Sequence, residues 1–220
     1  NEYAFWRKEI VKGYVMPKSS DRKVAFVSSY VPRRCGIATF CNDLITNIKA
    51  TGGEKFTPLV VAIRNDTSTQ YNNPVKFEIR REVTNDYVTA ADYLNFSHVD
   101  LVSIQHEYGL FGGEAGTHLN LLLRQVNAPV ITTMHTVLEE PQPHYYNATI
   151  DLCNLSDQVV VMNDRGIEML KDIYGIPESR IRLIPHGIPD VPFVDSSYYK
   201  HKFGMEGRKT ILTFGLLSVN

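Results

Sequence analysis

At 220 residues the chain is long enough for one large hydrophobic core, with only a stub of anything further. Hydrophobic residues make up 43% and charged residues 21%, an ordinary globular balance. The formal net charge of -1 gives no general attraction to nucleic acid or anionic lipid, so no nucleic-acid partner is expected and membrane contact is peripheral at most.

Residues 1–21 mix charges with aromatics and form an N-terminal extension without the apolar h-region of a signal peptide. No apolar run approaches the roughly 20 residues that a membrane span needs, and a cytoplasmic location is expected. The first apolar run, at 24–28, is β-branched and reads as a strand. Similar runs follow at 57–63, 100–104, 129–134, 158–162, 180–184 and 210–214. Most are apolar on both faces, as in strands buried between helix layers of a parallel sheet. Residues 65–73 read as a loose connection.

Helices are expected between the strands. Residues 38–49 repeat apolar positions at helical spacing and stop before Gly52-Gly53. Residues 114–126 place Leu119, Leu122, Leu123 and Val126 on one face. Residues 164–174 start at a cap, Asn163 or Asp164, and end at Gly175-Ile176-Pro177. Strand alternating with helix gives an α/β class: a Rossmann-like, doubly wound parallel sheet.

Ligands of such sheets bind beyond the carboxyl ends of the strands. After the first strand come Arg33-Arg34-Cys35-Gly36-Ile37, a turn that opens a helix and offers free backbone N–H groups to an anion. Arg33 or Arg34 adds positive charge there. The loop matches neither G-x-G-x-x-G nor the P-loop pattern, which argues against dinucleotide oxidoreductases and ATPases. After the third expected strand come Gln105-His106-Glu107-Tyr108, then Phe111-Gly112-Gly113. His106 and Glu107 offer hydrogen bonds, Tyr108 and Phe111 stacking faces, and Gly112-Gly113 a second set of amides. His135 leaves the next strand, and Pro185-His186-Gly187 follows the sixth.

Three histidines thus converge on one edge, but without the short local pairing of zinc ligands, so no metal is expected. The cysteines, Cys35, Cys41 and Cys153, are odd in number and unpaired in spacing, which fits a reducing compartment. Cys35 lies where a thiol pKa is lowered, yet no base or oxyanion site accompanies it. It reads as a small buried thiol.

The segments Cys35 to Phe40, His135-Thr136-Val137-Leu138, Ser156 to Met162, Tyr174-Gly175-Ile176-Pro177 and Ile184 to Pro189 occur in a definite order. Together they resemble the N-terminal domain of the family-4 (group 1) retaining glycosyltransferases, which have the GT-B fold. The resemblance covers about residues 23–220. It implies transfer of a sugar from a nucleotide-diphosphate sugar to a carbohydrate or lipid-linked acceptor, with retained configuration, no metal and no resident cofactor.

The same resemblance implies roles for particular residues. Gly36 and Ile37 match the loop facing the donor diphosphate, and His135 matches the histidine beside the reacting sugar. His135 and Glu107 are the candidate catalytic groups. Arg33, His106, Tyr108, Phe111, Gly112, Gly113, His186 and Gly187 complete the substrate-binding set. Two departures stand out: His186 replaces the usual Asn, and Cys35 stands where many members have a second glycine.

The implied organisation is an acceptor-side domain over 22–190, a linker over 191–208, and the start of a donor-binding domain at 209–220. The segment from Lys209 resembles that domain's first strand, so the rest of the domain, and most nucleotide contacts, are expected beyond these residues. The 220 residues alone are expected to be inactive. Two rivals remain open: a sugar-nucleotide epimerase of GT-B type, and a non-catalytic sugar- or nucleotide-binding module.

Overall fold

The computed structural model describes residues 21–52, 55–65, 69–188 and 191–213. Seven strands form one sheet: β1 (Arg22–Ser28), β2 (Phe56–Arg64), β3 (Val75–Arg80), β4 (Leu101–His106), β5 (Val130–Met134), β6 (Gln158–Val161) and β7 (Ile181–Leu183). Their order is β3-β2-β1-β4-β5-β6-β7, and each neighbouring pair is parallel. The helices are α1 (Gly36–Gly52), α2 (Thr84–Phe96), α3 (Leu119–Leu123), α4 (Pro143–Leu155), α5 (Asp164–Asp172) and α6 (Ser196–Lys202). This is the expected doubly wound sheet. Its strand order reverses between β1 and β4, so a crevice is expected at their carboxyl ends.

The two-sided apolar pattern has the expected consequence. Successive residues of β1 and β2 feed two cores, because strand side chains alternate between faces. Ala25, Val27, Val61 and Ile63 join Tyr87, Ala91 and Leu94 of α2 in the larger one. Phe26, Val60 and Ala62 meet Cys41 and Ile45 of α1 in the smaller. At the amino ends of the strands, aspartates close the ladder. Asp100 accepts from the Lys23 amide at 2.7 Å, and Asp157 accepts from the Val130 amide at 2.8 Å. Each returns its own amide to the same partner's carbonyl at 2.8 Å, clamping β1 to β4 and β5 to β6.

The structure differs from expectation in several elements. β3, α2 and α4 lie in segments where no element is expected. β3 is an edge strand whose sequence VKFEIR alternates apolar and charged residues, unlike the buried strands. The bidentate pair between Arg80 and Asp86, with both contacts at 2.8 Å, then fixes the turn into α2. The helix expected at 114–126 is shortened to a 3₁₀ turn at Glu114–Gly116 followed by α3. Ala115 (φ 52°) and Gly116 (φ 80°) sit in the left-handed region and interrupt it. α5 starts as expected, with the Asn163 side chain accepting from the Gly166 amide at 2.8 Å.

Two compact units divide between His186 and Gly187. In the second, the segment 191–208 holds α6, capped by Asp195 accepting from the Ser197 amide at 2.7 Å. Of the strand expected at 210–214, residues 210–213 are not a strand and residue 214 lies outside the described residues. A strand needs a hydrogen-bonded neighbour, and none adjoins these residues in the sheet. The expectation for 1–21 falls outside the described residues except for Asp21. Among the described residues, no helix is long and apolar enough to cross a membrane.

Candidate functional site

The candidate site is built at the carboxyl ends of β4 and β5. These strands pair as far as His106 opposite Met134. The ladder runs one residue further, with the His135 amide donating to the His106 carbonyl at 3.0 Å. His135 is therefore held by the sheet although it lies beyond the strand. Its ring Nε2 is 3.0 Å from Oε1 of Gln105, a fully buried residue of β4. Phe40, from the second turn of α1, meets the His135 ring edge-on, with centroids 4.9 Å apart. The same phenyl ring meets His186 at 5.2 Å. One aromatic residue thus joins the first-strand loop to two of the expected histidines.

Burial pushes the His135 pKa down to about 4, with the nearby His186 adding to the effect. The imidazole is neutral at pH 7. His106 is lowered further, to about 3, first by burial and then by His135. Its ring lies parallel to Phe111 at 5.9 Å and meets the edge of Tyr108 at 5.2 Å.

His106, Tyr108 and Phe111 therefore do not present themselves to a ligand, contrary to expectation. His106 is 3% exposed and Phe111 fully buried. The Tyr108 hydroxyl is spent on Thr149 at 2.6 Å. The physical reason is that the loop after β4 folds its aromatics back into the core, where their area is worth most. Glu107 alone of the polar groups in this loop stays half-buried at the edge. Its Oε2 accepts from the Thr136 hydroxyl at 2.6 Å and its Oε1 from the Tyr108 amide at 3.0 Å. The carboxylate is thereby tied to the residue that follows His135.

The glycines separate into two kinds. A Cβ at Gly36, the first residue of α1, would meet nothing within 4 Å. Open space thus lies over a helix start, whose first N–H groups lack acceptors within the helix. The Ile37 side chain packs against the larger core, leaving its backbone to serve the turn. Gly112 is different, because a Cβ there would fall 2.0 Å from the Arg81 carbonyl oxygen. The Gly112 amide donates to the Tyr87 hydroxyl at 2.9 Å, and the Gly113 amide lies 3.4 Å from Glu82. Gly113 has φ 78°. These two residues serve close packing and a left-handed turn, and their amides are not the free anion site expected of them.

Arg33 is half-buried and reaches toward the Ile63 carbonyl at the end of β2, at 3.5 Å, while Arg34 is exposed. Gly187 begins the second unit, and a Cβ there would meet open space. Cys35 is half-buried, not buried as expected, because the turn before α1 lies at the edge of the core; its Sγ is 3.2 Å from the Ser29 hydroxyl. Cys41 and Cys153 are buried thiols, pushed up to about 12 by burial. Among the described residues no group of three His, Cys, Asp or Glu is placed to hold a metal ion. A cavity of about 240 Å³ opens beside His135, lined also by Thr136, Val137, Asn163, Gly166 and Met169. Gly166 lets α5 approach β6 there, since a Cβ would lie 3.0 Å from Val161.

Sequence reasoning assigned no role to Gln105, Phe40 or Thr136. For Gln105 a signal existed, a polar residue closing a strand that is otherwise buried. Phe40 looks like any apolar helix residue.

The profile described as Glycosyltransferase Family 4 matches residues 51–190, more than half of the chain. The chain belongs to that family. The match takes in Gln105, Glu107, His135 and His186, whereas Arg33, Gly36, Ile37 and Phe40 precede it. Among solved structures, the family-4 chain is similar to an alpha-glucosyltransferase in complex with UDP and a 13-mer DNA containing a central A:G mismatch. Identity is 12% and the TM-score 0.45, over 70% of this chain and 39% of that one. The chain thus spans well under half the length of that protein. A comparison with curated proteins gives no match.

Two tests follow from the site. Gly112→Ala should lower the unfolding free energy by about 3 kcal/mol, because backbone must move to admit the methyl group. Gly36→Ala, in open space, should change it by less than about 0.5 kcal/mol; urea titration compares the two. Acidification tests the histidines. His106 and His135 are depressed from 6.5 to about 3 and about 4, so below pH 6.5 the unfolded chain binds more protons than the folded one. Their contribution is complete above pH 6.5 and is lost as pH falls through this window. The urea midpoint should therefore drop between pH 6.5 and 4, and less steeply in His135→Phe.

Proposed function

We propose that this family-4 chain is the acceptor-side part of a glycosyltransferase that moves a sugar from a nucleotide-diphosphate sugar to an acceptor hydroxyl, with retained configuration. Family membership supports the reaction class. The observation that carries the site is His135, neutral, fixed on two sides, and standing at the carboxyl end of β5 beside a cavity. In this reading His135 contacts the transferring sugar. The open start of α1 at Gly36 and Ile37 faces the diphosphate, whose leaving charge is stabilised by N–H groups and the helix dipole.

Positive and dipolar groups then replace a divalent metal, and no resident cofactor takes part. Glu107, braced by Thr136, lines the acceptor side, and Arg33 adds a positive charge for an acidic acceptor of carbohydrate or lipid-linked type. The protein acts in the cytoplasm. The nucleotide is held largely by a second, donor-binding domain, so residues 1–220 alone transfer little or no sugar.

The test is a transfer assay on the longer protein with a panel of nucleotide-diphosphate sugars. Activity should survive EDTA, and proton NMR of the product should show the anomeric configuration of the donor. His135→Ala should lower kcat/KM by about 10²-fold or more, a loss typical of removing one group that acts in the transition state. An inverted product, a metal requirement or unchanged turnover in His135→Ala would each contradict the reading.

A further inference from the structure

Gln105 is the last residue but one of β4 and is fully buried. A buried primary amide must place both its donors and its acceptor, since unsatisfied groups are costly. Its Nε2 donates back along the strand to the Ser103 hydroxyl at 3.4 Å. Residues i and i+2 share a strand face, which is why this short return is open to it. The carbonyl end faces His135 in the structure, with Oε1 at 3.0 Å from the ring Nε2. A carbonyl oxygen only accepts, so the imidazole nitrogen facing it must carry a proton.

We infer that Gln105 is a positioning residue that locks His135 in the Nε2–H tautomer and leaves Nδ1 as a bare acceptor for a hydroxyl of the transferring sugar. A neutral imidazole has one proton, and once that proton is committed to Gln105 the other nitrogen offers only a lone pair. The surroundings keep the ring neutral and fixed. Phe40 meets it from α1 and in turn meets His186 of the segment after β7, which lies near enough to disfavour charge on His135, and the His135 amide is tied to His106. Glu107, the carboxylate of this edge, is engaged by Thr136 and the Tyr108 amide. Nδ1 in this state repels a phosphate oxygen, which has no proton to share, and selects a group that donates one. His135 is thus suited to reading a sugar hydroxyl and unsuited to serving as a general acid from Nδ1.

The inference rests on the proposed role of His135 for its ligand, but its test needs no substrate. Long-range proton–nitrogen correlation spectra of the ¹⁵N-labelled chain at pH 8 separate protonated from bare ring nitrogens. His135 should show a protonated Nε2 and a bare Nδ1. Gln105→Leu and Gln105→Met remove the acceptor, and the two nitrogen shifts should move toward each other as the tautomers mix. Gln105→Glu keeps an acceptor and should keep the proton on Nε2.

A proton on Nδ1 in the unaltered chain overturns the inference, as does an unmoved tautomer in a folded Gln105→Leu or Gln105→Met variant. The spectrum of the unaltered chain decides even where a variant fails to fold. If the transfer assay fails while Nε2–H stands, the functional reading falls and the tautomer lock remains.

Discussion

The register between β4 and β5 governs everything at the carboxyl edge of these strands. These strands pair with His106 opposite Met134, and the next amide, that of His135, still finds the His106 carbonyl. A slip of one residue would turn every side chain of β5 to the other face. His135 would lose Gln105, and Thr136 would lose Glu107. The slip is opposed by burial of the face turned to the larger core, where Val102, Ile104 and Val130 are fully enclosed. The apolar core around Val130 thus sets the position of His135, about 16 Å further along the strand at roughly 3.3 Å per residue.

Around that fixed histidine, aromatic contact replaces charge. Phe40 touches both His135 and His186, and desolvation keeps the first of these unprotonated. A neutral ring can sit near a phosphate-bearing ligand without being drawn to it, and in the proposed reading anion recognition falls to the helix start at Gly36 and to Arg33. The two glycine sites show the same division of labour. Space over Gly36 is open, whereas Gly112 is filled by the protein itself. A glycine at a strand end is therefore evidence of a ligand only when nothing of the protein occupies the missing Cβ's place.

The sheet was legible because its inner strands are apolar on both faces, and six of the seven expected strands form. β3 was not, since an edge strand carrying Lys76, Glu78 and Arg80 lacks that pattern. α2 escaped because its buried face carries a single large aliphatic, Leu94, beside Asp86, Tyr87, Ala90 and Ala91. At the site, position along the chain was readable and direction was not. Nothing in Gln105 to Gly113 distinguishes an aromatic facing a ligand from one stacked inward, as His106 is on Phe111. That choice is made by tertiary packing, which also explains why Phe40, a helix residue without polar chemistry, went unmarked.

In the proposed reading, ligands are handled at the carboxyl edge between the start of α1 and the end of β5. Amide chemical-shift mapping of the chain during titration with nucleotide-diphosphate sugars tests it most directly. The shifts should concentrate at Gly36, Ile37, His135 and Thr136. Shifts concentrated instead at the separate cavity of about 510 Å³ lined by Tyr30, Ile45, Lys49 and Pro74, with His135 unmoved, would contradict it.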